Sequence, residues 1–75
     1  MENKLVKFKT NKLLGIRKSV GIKQDEIAKF LEINQATFSK KERGLSEFKK
    51  TEMEKVTIFL KRYFPEITLE DIFFN

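Results

Sequence analysis

The sequence predicts an all-α fold, a compact bundle of five short helices in a single domain. Three observations predict it. Apolar residues recur at helical spacing along most of the chain, at Leu13 and Ile16, at Ile27, Ala28, Phe30 and Leu31, and at Met53, Val56, Phe59 and Leu60. The residues between these runs are helix starts and stops rather than hairpin turns: Gly21, Asn34, Gly44, Thr51, Pro65 and Thr68. The one alternating segment, near the N-terminus, has no second strand to pair with. Seventy-five residues, 40% of them hydrophobic, suffice for one helical core but not for a buried catalytic pocket of any size.

In residues 1–10, Lys4, Lys7 and Lys9 interleave with Leu5, Val6 and Phe8. They read as a basic, poorly ordered N-terminal arm ahead of a domain over 11–75. Two roles stay open for it, a contact with a polyanion backbone or little function at all. The first helix is expected from about Lys12 to Val20, capped by Thr10 or Asn11 and closed by Gly21. Leu13, Ile16 and Val20 form its inward stripe. Gly15 inside it costs about 1 kcal/mol relative to Ala, so packing has to hold this helix.

The stretch Gln24 to Gly44, QDEIAKFLEINQATFSKKERG, organises the rest. Gln24 opens a second helix, in which Ala28 is small enough to let another helix cross close by. Glu32 and Ile33 make a tight turn, and Asn34 caps a third helix, because its side-chain oxygen can accept an orphan N–H. Gly44 follows where a left-handed residue is expected. Two short helices around a fixed turn make a helix-turn-helix. On the third helix, counting 100° per residue, positions 35, 39, 43, 36 and 40 share an arc of about 140°. They are Gln, Ser, Arg, Ala and Lys, with no acid among them. Such a face suits a DNA major groove, where Gln reads adenine and Lys or Arg reads guanine. It also fits an ordinary solvated helix face.

After Gly44, LSEFKK forms a loop anchored by Leu45 and Phe48. Thr51 and Glu54 match a capping box, which starts a fourth helix at about Glu52. Its inward residues are Met53, Val56, Phe59, Leu60 and Tyr63, and Phe64-Pro65 ends it. Thr68 caps a last helix over Leu69 to Phe74. Ile72, Phe73 and Phe74 exceed what one small core can hold, so with Phe64 they are the expected dimer interface.

The ordered set Leu13, Ile16, Arg17, Gly21 and Gln24, followed by the helix-turn-helix and the Glu42-Arg43-Gly44 ending, resembles the Cro/C1-type (Xre-family) helix-turn-helix domain. The resemblance covers roughly residues 11 to 74, and the tail looks most like small phage or prophage regulators. It implies a lambda-repressor-like DNA-binding domain, acting as a repressor or Cro-like regulator of transcription. It implies base-reading roles for Asn34, Gln35, Ala36, Ser39 and Lys40. It implies phosphate contacts from Lys23, Gln24, Arg43, Ser46 and Lys49, and an ion pair between Arg17 and Glu42. The same charges could also be solvated independently. Two residues depart from the family pattern. Glu32 stands where Gly is usual, so the turn is strained by about 1 kcal/mol or differently shaped. Lys41 stands at an inward position normally apolar, where its stem can lie on the core while the ammonium reaches an acid such as Glu52.

Charge agrees with a polyanion partner. Residues 1–50 carry 13 Lys/Arg against 6 Asp/Glu, net +7, and residues 51–75 carry 3 against 5, net −2. With no Cys and no His, there is no disulfide framework, no thiolate metal site and no catalytic constellation. The expectation is a non-enzyme without cofactor or metal, in the cytoplasm of a bacterial or phage-infected cell. Its partner is double-stranded operator DNA, which it binds as a homodimer. No apolar run is long enough for a membrane span. The alternative is an antitoxin or repressor-partner module, because the same fold serves both.

Overall fold

A computed structural model of the chain describes residues 11–74, so the arm expected at residues 1–10 lies outside the described residues. Within them the chain forms five helices and no strand. They are α1 (Leu13–Ser19), α2 (Gln24–Leu31), α3 (Gln35–Glu42), α4 (Lys50–Leu60) and α5 (Leu69–Phe73). The all-α expectation holds. No helix among the described residues is long and apolar enough to cross a membrane.

Local chemistry accounts for the element ends. The Leu13 N–H donates to Asn11 Oδ1 at 2.9 Å, opening α1. At the far end of α1 the N–H of Ile22 donates to Arg17 O and that of Gly21 to Lys18 O, with Gly21 at φ +76°. This is a Schellman motif, which satisfies carbonyls left over by the last turn. It recurs after α2, where Ile33 donates to Ala28 O and Glu32 to Lys29 O. It recurs again after α3, where Leu45 donates to Lys40 O and Gly44 to Lys41 O. The left-handed residues are Glu32 at φ +64° and Gly44 at φ +84°. Asn34 Oδ1 accepts the Thr37 N–H at 2.8 Å and caps α3. Thr68 and Asp71 cap α5 reciprocally, at 3.2 and 2.9 Å.

The core runs through all five helices, with Leu13, Ile27, Phe38, Val56, Leu60 and Ile72 fully enclosed. α2 packs against both α3 and α4, and α5 against α4. Edge-to-face rings join the loop after α3 to its neighbours, Phe48 meeting Phe38 at 6.0 Å and Phe73 at 5.2 Å between centroids. The Lys12 N–H donates to Ile72 O at 3.0 Å and ties the start of α1 to α5.

Four expectations are corrected. Val20 is not inward. It follows the last turn of α1 and is exposed, and Ile22 beyond the Schellman turn is buried instead. α4 starts at Lys50 rather than Glu52, because the Glu52 carboxylate accepts the Lys49 N–H at 2.8 Å and so makes Lys49 the cap. α4 also stops at Leu60, ahead of Pro65, and the turn that follows carries Tyr63 outward. Ile72 is wholly buried within its own chain and has no surface to offer a dimer, since α5 lays that side on the core. Phe64 and Phe73 are half-buried, and only Phe74 stays largely open, at 65% exposure.

Candidate nucleic-acid interface

The outward face of α3 is set by what its inward face must hold. Phe38 fills the core, and Lys41 and Glu42 are buried with it. The remaining arc contains Gln35, Ala36, Lys40 and Arg43, all exposed, and Ser39, half-exposed. Asn34, at the cap, is also exposed. The five residues expected to face bases, Asn34, Gln35, Ala36, Ser39 and Lys40, therefore share one accessible surface at and after the start of α3. Arg43 folds back through Nε onto Ser39 O at 3.3 Å and borders the same surface.

The residues expected at phosphates lie around it. Lys23 precedes α2, and Ser46 and Lys49 lie in the loop between α3 and α4, all exposed. Glu47, also exposed, adds an acid to that loop. Lys40, Arg43, Lys49 and Lys23 are thus exposed cations, as is Lys50 at the start of α4.

Behind the face lies a polar cluster. Arg17 Nε and Nη2 donate to the two oxygens of the Glu42 carboxylate at 2.8 and 3.0 Å, and Arg17 Nη1 donates to Ile22 O at 2.9 Å. The pair is almost wholly buried, its side chains 8% and 1% exposed. Two fork donors matched to two carboxylate oxygens, with a third bonded to a carbonyl, is the geometry that lets buried charges coexist with a core. Lys41 and Glu52 form a second pair at 2.6 Å, which joins α3 to the first turn of α4. Burial pushes the Glu52 carboxyl up, but the hydrogen bonds from Lys41 and the Lys49 backbone, with both ammonium charges, outweigh it. The group ends below the ordinary glutamate value.

The sequence reading missed what Gln24 does inside this cluster. Its Nε2 donates to Glu42 Oε1 at 2.8 Å, and its Oε1 accepts from Gln35 Nε2 at 3.2 Å. No spacing rule connects positions 24, 35 and 42; only the crossing of α2 and α3 brings them together. Among the described residues no group of three or more His, Cys, Asp or Glu is placed to share a metal ion. Comparison with protein-family models, with curated proteins and with solved structures returned no match.

Proposed function

We propose that the chain is a sequence-specific DNA-binding regulator of transcription, with α2 and α3 as a helix-turn-helix and α3 as the helix that enters the major groove. The observation that carries this reading is the outward face of α3. It is free of acids, and it holds one small residue and four polar or cationic ones beside a capped helix start. Gln35, Ala36, Ser39 and Lys40 face base edges, with Asn34 at the cap, and Ala36 offers its methyl to a thymine methyl. Lys23, Gln24, Arg43, Ser46 and Lys49 contact phosphates, which supply most of the affinity. No reaction is catalysed, and the acting form is a homodimer.

The test is a binding selection from random duplexes at stated salt, followed by titration of the selected site. A defined consensus with nanomolar to micromolar affinity is the expected result. Recovery of no sequence preference sinks the reading.

One observation favours a second reading, a protein-interaction module of the antitoxin or repressor-partner kind. Phe74 is an aromatic residue left 65% exposed beside an acidic helix, α5. An exposed aromatic is characteristic of interfaces. The same selection separates the two, because a pure interaction module enriches no duplex.

A further inference from the structure

We propose that Lys41 contributes to DNA binding from within the core, by neutralising the Glu52 carboxylate that caps α4 next to the phosphate-contacting Lys49. This rests on the DNA-binding reading above, in which Lys49 meets a phosphate.

Two bonds meet on one oxygen. Glu52 Oε1 accepts from the Lys41 ammonium at 2.6 Å and from the Lys49 N–H at 2.8 Å. The first bond crosses from α3 to α4, and the second fixes where α4 starts. The acid is therefore held against the backbone of Lys49, whose side chain is exposed, as is that of Lys50. Glu47 and Glu54, on either side in the sequence, are exposed too, and water screens them. Glu52 lacks that screening, because the side chains of Lys41 and Glu52 are only 9% and 11% exposed.

Stability alone does not call for this pair. An inward helix position is filled more simply by an apolar side chain, and replacing a buried ion pair by apolar residues is often neutral or stabilising. The cap needs only an acceptor, which a glutamine amide also supplies. An unpaired carboxylate here would act on more than the fold. A phosphate held by Lys49 would lie within about 10 Å of it, roughly one Debye length at 0.1 M salt. Its charge would then offset much of what Lys49 and Lys50 add. With the Lys41 ammonium 2.6 Å away the pair is neutral as a whole, and its field falls off faster with distance than that of a single charge. Lys41 thus lets a carboxylate serve as helix cap beside lysines that bind a polyanion.

The experiment measures affinity for the selected duplex and for one of mixed sequence in Lys41→Met, Glu52→Gln and the double variant, at low and high salt. Circular dichroism and a urea titration follow the fold of each. Removing the cation alone should weaken binding to both duplexes alike, by about tenfold at low salt and much less at high salt. Removing the acid alone should do the opposite and tighten binding severalfold, although it deprives Lys41 of its partner and lowers stability. The double variant should return affinity to within about twofold of wild type, since the pair it removes is neutral. A purely structural pair gives a different pattern, in which both single variants bind more weakly or neither changes. Any outcome other than opposite signs overturns the proposal and leaves the DNA-binding reading standing. If Lys41→Met does not fold, the sign of the Glu52→Gln change decides alone. A wild-type protein that binds neither duplex overturns the DNA-binding reading, and the compensation with it.

Discussion

Three Schellman turns in one small protein allow their left-handed residues to be compared. Gly21 and Gly44 have no Cβ to set against the carbonyl oxygen, and Glu32 does, at φ +64°. The hydrogen bonds at Glu32 match those at the glycines in kind and length, 3.0 Å each, so the motif forms and the strain stays in the backbone. A left-handed non-glycine residue costs on the order of 1 kcal/mol, and glycine returns part of that as unfolded-state entropy. Glu32 is exposed and no side-chain hydrogen bond from the described residues holds it, so little is lost by removing its carboxylate. Glu32→Gly should therefore raise stability by about 0.5 kcal/mol, read as a higher urea midpoint at unchanged slope. Gly15 is the opposite case. It is helical and exposed, and a Cβ there meets nothing within 4 Å. Gly15→Ala should raise stability by up to about 1 kcal/mol in the same titration.

At the scale of helices, α3 and α4 are joined through one acid. Glu52 accepts from the Lys41 ammonium at 2.6 Å and from the Lys49 N–H at 2.8 Å, so one carboxylate serves as ion-pair partner and as helix cap. Its carboxyl titrates below its ordinary value of 4.5. A group depressed on folding stabilises fully above its unfolded pKa and loses that contribution as pH falls through the folded one. Wild-type stability should thus fall below about pH 4.5 more steeply than that of Glu52→Gln, which keeps an acceptor for Lys49 but has no proton to bind. Asp71, likewise lowered by its bonds from Thr68, is common to both proteins and cancels in the difference. Parallel urea midpoints from pH 6 to pH 3 would remove Glu52 from the acid response. The same acid explains why one helix start was misread from sequence. Thr51 and Glu54 look like a capping box, and Lys49 with Glu52 does not, since lysine accepts nothing. Tertiary pairing with Lys41 holds Glu52 over the Lys49 N–H and shifts the start by two residues. The stops at Gly21 and Gly44 and the start at Thr68 are legible because each is decided within a few residues. Val20 and Tyr63 are not, because helical spacing continues past helix ends that the turns decide. The α3 face could be read from its 100° spacing alone. The bonds of Gln24 to Glu42 and Gln35 could not, since they depend on how two helices cross.

Charge is unevenly divided along the chain, net +7 over residues 1–50 and −2 over residues 51–75, and the two parts invite different partners. Cations border the α3 face, and affinity for DNA should rest on them. The logarithm of the binding constant should fall linearly with the logarithm of salt concentration, at about −0.9 per phosphate contacted. Arg43→Ala should reduce that slope by about 1 and weaken all duplexes alike. A flat salt dependence on the selected site would count against phosphate contacts as the main source of affinity. The C-terminal segment carries Glu66, Glu70 and Asp71 and leaves Phe74 exposed. An open, mostly apolar groove of about 530 Å³ is lined by Ile16, Tyr63, Phe64, Pro65, Glu66, Ile67 and Asp71. One recognition helix contacts only a few base pairs, too few to stand out among competing genomic sites. Two copies related by a two-fold axis read two half-sites about 34 Å apart. A second copy is therefore the occupant proposed for this surface. Ile72 is enclosed and takes no part; the proposed anchor is Phe74, with Phe64 or Phe73 beside it in an isologous contact. Light scattering at micromolar concentration should give twice the chain mass. Phe74→Asp should return the monomer with its helicity kept, and should lower affinity for a palindromic site far more than for a half-site. A wild-type monomer that pairs only on a palindrome would move the contact onto the DNA. A monomer with no duplex preference would give this surface to a different protein.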